Sequence, residues 1–120
     1  MFQSKKRGNV LDFDYQIEYD PTVLDRISDI ENYISNVLFS PVAARNRVET
    51  IFDDIAQLKK MPASYPSADK KIGVQISKTH ETKFKLIVGG KYLVFFFVDE
   101  NIIYISHLLP TETDYMSLFE

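Results

Sequence analysis

Apolar and polar residues alternate strictly along FDYQIEY, residues 13–19. Phe13, Tyr15, Ile17 and Tyr19 share one side of this stretch, and the other side is polar. A period of two is typical of a β-strand that buries one face. We therefore expect a half-buried strand at the start of a single domain spanning residues 13–120, preceded by a flexible N-terminal extension of residues 1–12.

Two amphipathic helices are predicted after this strand. Asp20 with Pro21, and Ser40 with Pro41, each supply an N-cap residue and a proline at the first helical position. Pro62 prevents the second helix from continuing. The apolar residues form one stripe per helix, at Val23, Ile27, Ile30, Ile34 and Val37 and then at Ala44, Val48, Ile51, Ile55 and Leu58. The short connection predicts an antiparallel helical hairpin whose stripes are covered by a sheet.

Four more strands are predicted after the helices and the connector MPASYPSADKK. They are GVQIS, KFKLIV, KYLVFFFV and IIYISHLL, which begin at residues 73, 83, 91 and 102. Gly89 and Gly90 permit a tight turn between the second and third of these strands. The predicted order is β-α-α-β-β-β-β. This is an α+β fold in which an antiparallel sheet of four to five strands carries an N-terminal helical hairpin.

Composition narrows the class of protein. A length of 120 residues, 45% of them hydrophobic, suits one domain with one core. The absence of cysteine excludes disulfides, thiolate zinc sites and cysteine nucleophiles, so the cytoplasm is the expected compartment. No apolar run is long enough to span a bilayer, and no membrane partner is expected. No metal-ligand spacing or glycine-rich phosphate loop is present, so no cofactor is expected.

The net charge of −3 conceals a basic zone in residues 70–91, which hold six lysines and a single acidic residue. Lys83 and Lys85 share one face of a predicted strand, where they could clamp a phosphate or simply protect a sheet edge. Lys91 ends this zone. A basic surface in an acidic protein is thus one candidate for contact with a partner or a nucleic acid.

Other residues carry candidate chemistry with structural alternatives. His80, in a predicted turn, and His107, on a predicted strand, have the side chain suited to proton transfer near neutral pH. His80 is equally explained as an exposed turn residue, and His107 as a buried, hydrogen-bonded one. Tyr92 could stack on a base or donate a proton, or serve only in packing. Arg45 and Arg47, near the start of the second helix, could contact an acidic partner or a nucleic acid.

Two strings of the chain resemble the RelE/ParE superfamily of toxins from type II toxin–antitoxin pairs. YQIEYDPTVLDRISDIENYISNVLFSPVAARNRVETIFDDIAQLKKMP is similar to that family's first strand and helical hairpin, and KYLVFFFVDENIIYISHLL to its central strand hairpin. The resemblance covers roughly residues 13 to 115. It implies a growth-inhibiting protein that a cognate antitoxin binds tightly, by adding a strand to the sheet or a helix to a groove.

The target differs between branches of the family: one branch cleaves messenger RNA on the ribosome, and the other is described as poisoning DNA gyrase. Members of the family often have an arginine where this chain has Tyr92, and many have arginines in the last strand and in a closing string that here reads SHLLPTETDY. His107 lies near the first of those positions, and Asp114 alone matches the family string as written. Cations for phosphate chemistry are therefore depleted at this edge.

The resemblance and these departures favour a ParE-like toxin neutralised by an antitoxin. Two alternatives stay open. One is a RelE-like ribosome-dependent endoribonuclease that uses His80, Lys83, Lys85, Tyr92 and His107. The other is a non-toxic, antitoxin-binding or autoregulatory protein with a degenerate active edge. For contact with the partner or target, the predicted residues are Arg45, Arg47, Lys91, Asp114 and Tyr115.

Overall fold

The structure is a computed structural model, and it describes residues 14–112. The elements, in chain order, are β1 (Gln16–Tyr19), α1 (Pro21–Asn32), a π-helical turn (Tyr33–Val37), α2 (Pro41–Ala56), two short 3₁₀ turns (Gln57–Lys59 and Pro62–Ser64), α3 (Ala68–Ile72), β2 (Lys83–Ile87), β3 (Tyr92–Asp99) and β4 (Ile102–Pro110). The predicted α+β architecture, with a helical hairpin packed on a sheet, is confirmed. The extension of residues 1–12 lies outside the described residues.

The four strands form one sheet in the order β1-β4-β3-β2. β2, β3 and β4 pair antiparallel as predicted, but β1 pairs parallel to β4, with Gln16 opposite Ile102 and Tyr19 opposite Ile105. The prediction of a wholly antiparallel sheet was therefore wrong for this pair. A parallel neighbour requires a long crossover, and the helical hairpin together with β2 and β3 supplies it.

Asp20 sets the start of α1 and also ties it to the sheet. Its Oδ1 accepts hydrogen bonds from the Thr22 N–H at 3.0 Å and the Thr22 hydroxyl at 2.7 Å. Its Oδ2 accepts a third hydrogen bond, from the Tyr104 hydroxyl on β4 at 2.8 Å. These bonds stabilise the ionised carboxylate and hold the pKa of Asp20 below its usual range. One residue thus caps the helix, as predicted, and anchors the end of β1 beside β4.

The main core lies between the helical hairpin and one face of the sheet, here called the helix side. Its fully buried members come from α1, α2, β2, β3 and β4. They include Val23, Ile51, Ile55, Val94, Phe96, Ile103 and Ile105. Most of the predicted helix stripes are buried in it, because positions three or four residues apart fall on one side of a helix. The helices of the described chain are too short or too polar to cross a membrane.

The opposite face of the sheet, here called the far side, carries a second small cluster. Leu93, Phe95 and Leu109 point to this side and are covered by Ala68 and Ile72 of α3. β4 contains a bulge beside Phe95 and Phe96, so residues on either side of Ser106 follow different alternations. The short helix α3 therefore covers part of the far side.

The predicted strand GVQIS was wrong. Residues 73–82 form a loop that follows α3, which begins at the N-cap Ser67 and ends at Gly73 with a φ of 89°. Asp69 fastens this loop, since its two carboxylate oxygens accept hydrogen bonds from the backbone N–H groups of Ile76 and Thr82, at 3.0 and 3.1 Å. These bonds replace the strand pairing that the sequence pattern suggested, and the sheet has four strands in all within residues 14–112.

Candidate functional site

A groove of about 500 Å³ opens between the helical hairpin and one end of the sheet. Its apolar lining comes from α1, the π-helical turn, the start of α2 and the adjacent strand ends, and comprises Ile30, Tyr33, Ile34, Leu38, Ala43, Tyr92 and Pro110. Its polar lining is Arg26, Asp29, Ser40 and Arg47. A concave, mostly apolar surface with a few charged groups is the usual form of a binding site.

Residues 33–42, which comprise the π-helical turn, the helix connection and the first two residues of α2, are here called the hairpin tip, and they continue the apolar surface of the groove. Five of its large apolar side chains are more than half exposed: Tyr33, Val37, Leu38, Phe39 and Val42. Phe39 has 85% of its surface exposed and a positive φ of 55°, which is costly for a residue other than glycine. Exposed apolar surface next to an apolar groove marks an interaction site.

The π-helical turn occupies the first half of the hairpin tip. The turn replaces the last α-helical turn before the hairpin connection, and only Ile34 of its five residues is buried. A π-turn shifts the residues that follow it around the helix axis, and such turns are frequent at functional sites. Val37, the last residue of this turn, is exposed, so its place in the predicted buried stripe of the first helix was wrong.

Arg47 and Tyr92 meet at the sheet end of the groove. The Arg47 Nη1 donates a hydrogen bond to the Tyr92 hydroxyl at 3.0 Å, and the guanidinium carbon lies 5.8 Å from the centre of the tyrosine ring. The packing of α2 against β3 brings together these two residues, which are 45 positions apart in the chain. The groove therefore contains two guanidinium groups, from Arg26 and Arg47, against the single carboxylate of Asp29.

The two lysines predicted to clamp a phosphate are used to hold the fold. Lys83 and Lys85 do share one face of β2, as predicted, but that face is the helix side. The Lys83 Nζ donates to the backbone oxygen of Tyr65 at 3.1 Å, and the Lys85 Nζ donates to that of Asp54 at 2.9 Å. Lys83 also lies 3.6 Å from the carboxylate of Glu81. Both amines thus connect the edge strand to α2 and the connector.

The two histidines lie on the far side of the sheet. The ring of His80 stacks on Phe97 with 4.7 Å between ring centres, and its Nε2 is 3.9 Å from the Asp99 carboxylate. His107 is half-buried on β4, with its Nδ1 2.9 Å from the Ser106 hydroxyl. Burial lowers the pKa of His107, although the nearby Asp20 carboxylate acts in the opposite direction. The sheet therefore separates both histidines from both lysines.

The predicted site residues are thus dispersed. Tyr92 and Arg47 belong to the groove, whereas Arg45 is exposed on α2 and does not line it. Lys91 is exposed in the turn between β2 and β3, where its backbone bonds to Val88 and Thr111. Asp114 and Tyr115 lie outside the described residues. Within residues 14–112, no group of three acidic or histidine side chains could hold a metal ion.

Sequence reasoning missed Arg26 and the hairpin tip. The signal for the tip was present, because Val37, Leu38, Phe39 and Val42 make the helix connection far more apolar than an ordinary exposed turn. Arg26 gave no such signal. A single arginine on the polar face of an amphipathic helix is ordinary, and only the position of the neighbouring elements makes it part of a groove.

Comparison with solved structures defines the class of fold. A chain of the chromosomal ParDE TA system from P. aeruginosa superposes with a TM-score of 0.64 at 14% sequence identity, over 82% of this chain and 97% of that chain. A chain of the archaeal RelE-RelB complex from Pyrococcus horikoshii OT3 gives a TM-score of 0.48 at 16% identity, over 83% and 98% of the two chains. The first of these likenesses shows that this chain has the same fold as that chain of the ParDE TA system.

The sequence identifies the family within that class. The profile of the ParE toxin of the type II toxin–antitoxin system, parDE, matches residues 17–115. The chain belongs to this family of toxins. None of the curated protein sequences matches it significantly.

Proposed function

We propose that this protein is a cytoplasmic growth-inhibiting toxin, that a cognate antitoxin neutralises it by forming a tight complex, and that it acts on DNA gyrase without cleaving RNA. Membership of the ParE toxin family supports the toxin and antitoxin parts of this proposal. The dispersion of the candidate catalytic residues supports the absence of nuclease activity.

That dispersion is the observation that carries the proposal. Cleavage of RNA through its 2′-hydroxyl needs a base, cations for the charged phosphate and an acid for the leaving oxygen, all within reach of one phosphate. Here the amines of Lys83 and Lys85 bond to backbone oxygens on the helix side, and the rings of His80 and His107 lie on the far side. A single phosphate cannot contact both pairs through the sheet.

Carboxylates lie close to the candidate catalytic residues of the far side. Glu18, Asp20 and Asp99 lie around Tyr104 and His80 on this surface, and the hydrogen bond that the Tyr104 hydroxyl donates to Asp20 raises the pKa of that tyrosine. Binding to a nucleic acid derives most of its affinity from cations that neutralise phosphates. Carboxylates beside the histidines oppose a bound phosphate there, although Lys71 of α3 lies over Phe84 on the same face and Arg26 acts on His107, so the far side as a whole is mixed in charge.

Inducible expression in a bacterial host tests the proposal. Expression of this protein alone should arrest growth and produce double-strand DNA breaks, and co-expression of the small protein encoded beside it should restore growth. Mapping of messenger RNA 3′ ends in the same cells should show no new cleavage sites. New ribosome-dependent 3′ ends would assign the protein to the nuclease alternative, and normal growth with a stable complex would assign it to the binding-only alternative.

A further inference from the structure

One end of the far side matches the charge of residues 1–13, here called the N-terminal segment, which precede the described part of the chain. The basic residues of this segment are Lys5, Lys6 and Arg7. We propose that the N-terminal segment folds back over this end of the sheet and sets its cations against the carboxylates of Glu18, Asp99 and Glu100. The inference goes beyond the proposed function and does not depend on it.

The surface consists of two rows of side chains that cross the sheet beside the turn between β3 and β4. One row contains Glu18, Tyr104 and Phe97, which are neighbours on β1, β4 and β3. The rings of Tyr104 and Phe97 are stacked with 5.2 Å between their centres, and His80 continues the stack at 4.7 Å from Phe97. The second row, nearer the turn, contains Gln16, Ile102 and Asp99. Flat rings thus lie among carboxylates at this end of the far side.

The carboxylates at this end are poorly neutralised. Glu18, which alternation along β1 directs to the far side, and Glu100 are exposed and form no ion pair within residues 14–112. Asp99 has only the ring of His80, at 3.9 Å. An ammonium or guanidinium group is attracted both by carboxylates and by the face of an aromatic ring. The surface therefore suits a basic segment.

The cations of the surrounding elements contact other groups. Lys71 of α3 lies over the ring of Phe84 on β2. Burial, and to a smaller extent the charge of Arg26, lowers the pKa of His107, so Arg26 lies toward the other end of β4. Lys78 is exposed in the loop of residues 73–82 and forms no ion pair within the described part of the chain. None of these three residues pairs with the carboxylates beside the β3–β4 turn.

The place where the N-terminal segment joins β1 favours its own cations over those of another molecule. β1 begins beside the β3–β4 turn, because the N–H of Gln16 donates to the backbone oxygen of Asn101 at 2.8 Å. Two strand spacings, about 10 Å, separate β1 from Asp99 on β3. Arg7 lies nine residues before Gln16, and a flexible chain of that length has an average end-to-end distance of about 15–18 Å. The tether therefore spans the distance and gives an effective concentration of about millimolar.

The docked segment changes what the far side offers to other molecules. Its three cations offset three carboxylates, and its backbone covers the ring stack of His80, Phe97 and Tyr104. Exposed ion pairs are individually weak and are screened by salt, so the contact is reversible. A macromolecule that uses this end of the far side must displace the segment first.

Paramagnetic relaxation in the full-length protein tests the contact. The chain has no cysteine, so Ser4→Cys supplies a single thiol for a nitroxide label. At low salt the label should weaken the amide signals of Phe97 and Tyr104 but not that of Phe39, since the hairpin tip lies toward the other end of β4. Raising the salt from about 10 mM to about 1 M shortens the Debye length from about 30 Å to about 3 Å, and the weakening should be lost.

Charge reversals distinguish docking from the mere proximity of a tethered label. The segment variant is Lys5→Glu/Lys6→Glu/Arg7→Glu, and the surface variant is Glu18→Lys/Asp99→Lys/Glu100→Lys. Each alone should reduce the relaxation at Tyr104 to the level seen at high salt. Combining the two variants should restore it, because the signs are again opposite.

A matched control makes the same change in net charge elsewhere. Glu31→Lys/Glu49→Lys/Asp53→Lys replaces three exposed carboxylates of α1 and α2 and should leave the relaxation at Tyr104 unchanged. Circular dichroism melting shows whether each variant is folded. If the surface variant does not fold, the segment variant and the salt series decide the question.

Two results would overturn the inference. The first is relaxation at Tyr104 that is the same in the wild type, in the segment variant and at high salt, since the segment then has no charge-dependent contact with this surface. The second is relaxation that appears when an isotope-labelled chain without nitroxide is mixed with an unlabelled chain that carries it, since a second copy then supplies the segment. Neither result concerns growth arrest, so the proposed function stands or falls separately.

Discussion

Replacement of Lys85 by methionine distinguishes a structural lysine from a catalytic one. Methionine keeps an unbranched apolar side chain of similar length but removes the amine that donates to the Asp54 backbone oxygen at 2.9 Å. The same amine lies 5.8 Å from the centre of the Tyr65 ring. If the lysine serves only to hold β2 to α2, its loss should lower stability and leave the intrinsic activity of the folded protein unchanged.

The size of the effect follows from these contacts. A hydrogen bond from a charged donor contributes about 1.5–3 kcal/mol to the free energy of unfolding when it is partly buried. The contact with the ring adds about 0.5–1 kcal/mol at most at such a site. Because the amine is still partly solvated, we take the hydrogen bond alone, which for a domain of this size corresponds to a fall in melting temperature of roughly 6–12 °C.

Two measurements together distinguish a structural role of Lys85 from a catalytic one. Thermal unfolding of purified Lys85→Met, followed by circular dichroism, gives the change in stability, and growth arrest is scored at equal levels of folded protein in cells. Lys91→Met is the matched control for stability, since Lys91 is exposed in the neighbouring turn. A Lys85→Met protein with wild-type melting temperature and no growth arrest would refute the reasoning, since it would show that the amine acts on the target.

Three further predictions concern α2, the far side and the hairpin tip. Asp54→Ala removes the carboxylate that accepts a hydrogen bond from the Val88 N–H at 2.8 Å, and it should lower the free energy of unfolding in urea by about 1–3 kcal/mol. Replacement of the exposed neighbour, Asp53→Ala, should change this free energy by less than about 0.5 kcal/mol. Burial lowers the pKa of His107 in the folded state, so the unfolded state binds more protons than the folded state as the pH falls through about 6.5. The free energy of unfolding should therefore decrease from pH 7 to pH 5. In urea titrations, His107→Gln should make that decrease smaller. Phe39→Asn should keep or slightly raise the melting temperature, since asparagine tolerates a positive φ, while weakening antitoxin binding in calorimetry; an unchanged affinity would remove the hairpin tip from the interface.

The register of β2 decides which side of the sheet its two lysines occupy. Alternation along β2 places Lys83 and Lys85 together in any register, but the side they occupy is set by the helices that pack on the sheet. A shift of one residue in β2 would move both amines to the far side, beside His80. The choice of register therefore distinguishes a lysine pair that supports the fold from one that could contact a phosphate.

Some residues of the candidate site could be predicted from the sequence, but the contacts between them could not. Arg47 and Tyr92 were both predicted as functional residues, yet their hydrogen bond was not predicted, because nothing local relates two residues 45 positions apart. The groove itself arises where α1, the π-helical turn and α2 meet the ends of β3 and β4, which are distant from them in the chain. The loop of residues 73–82 was mistaken for a strand because Asp69, which fastens it, acts across seven and thirteen residues.

By itself, the sequence determined most of the elements, where the two long helices begin and that these helices make a hairpin. These features depend on interactions within one or two turns of backbone, such as the cap at Asp20, and on a spacing of apolar residues that suits only one secondary structure. The tertiary structure alone decided that β1 runs parallel to β4, which side of the sheet each charged residue occupies, and that two arginines border an apolar groove. Those outcomes depend on which surfaces pack together over long separations, and an alternating pattern reads the same for either direction and either face.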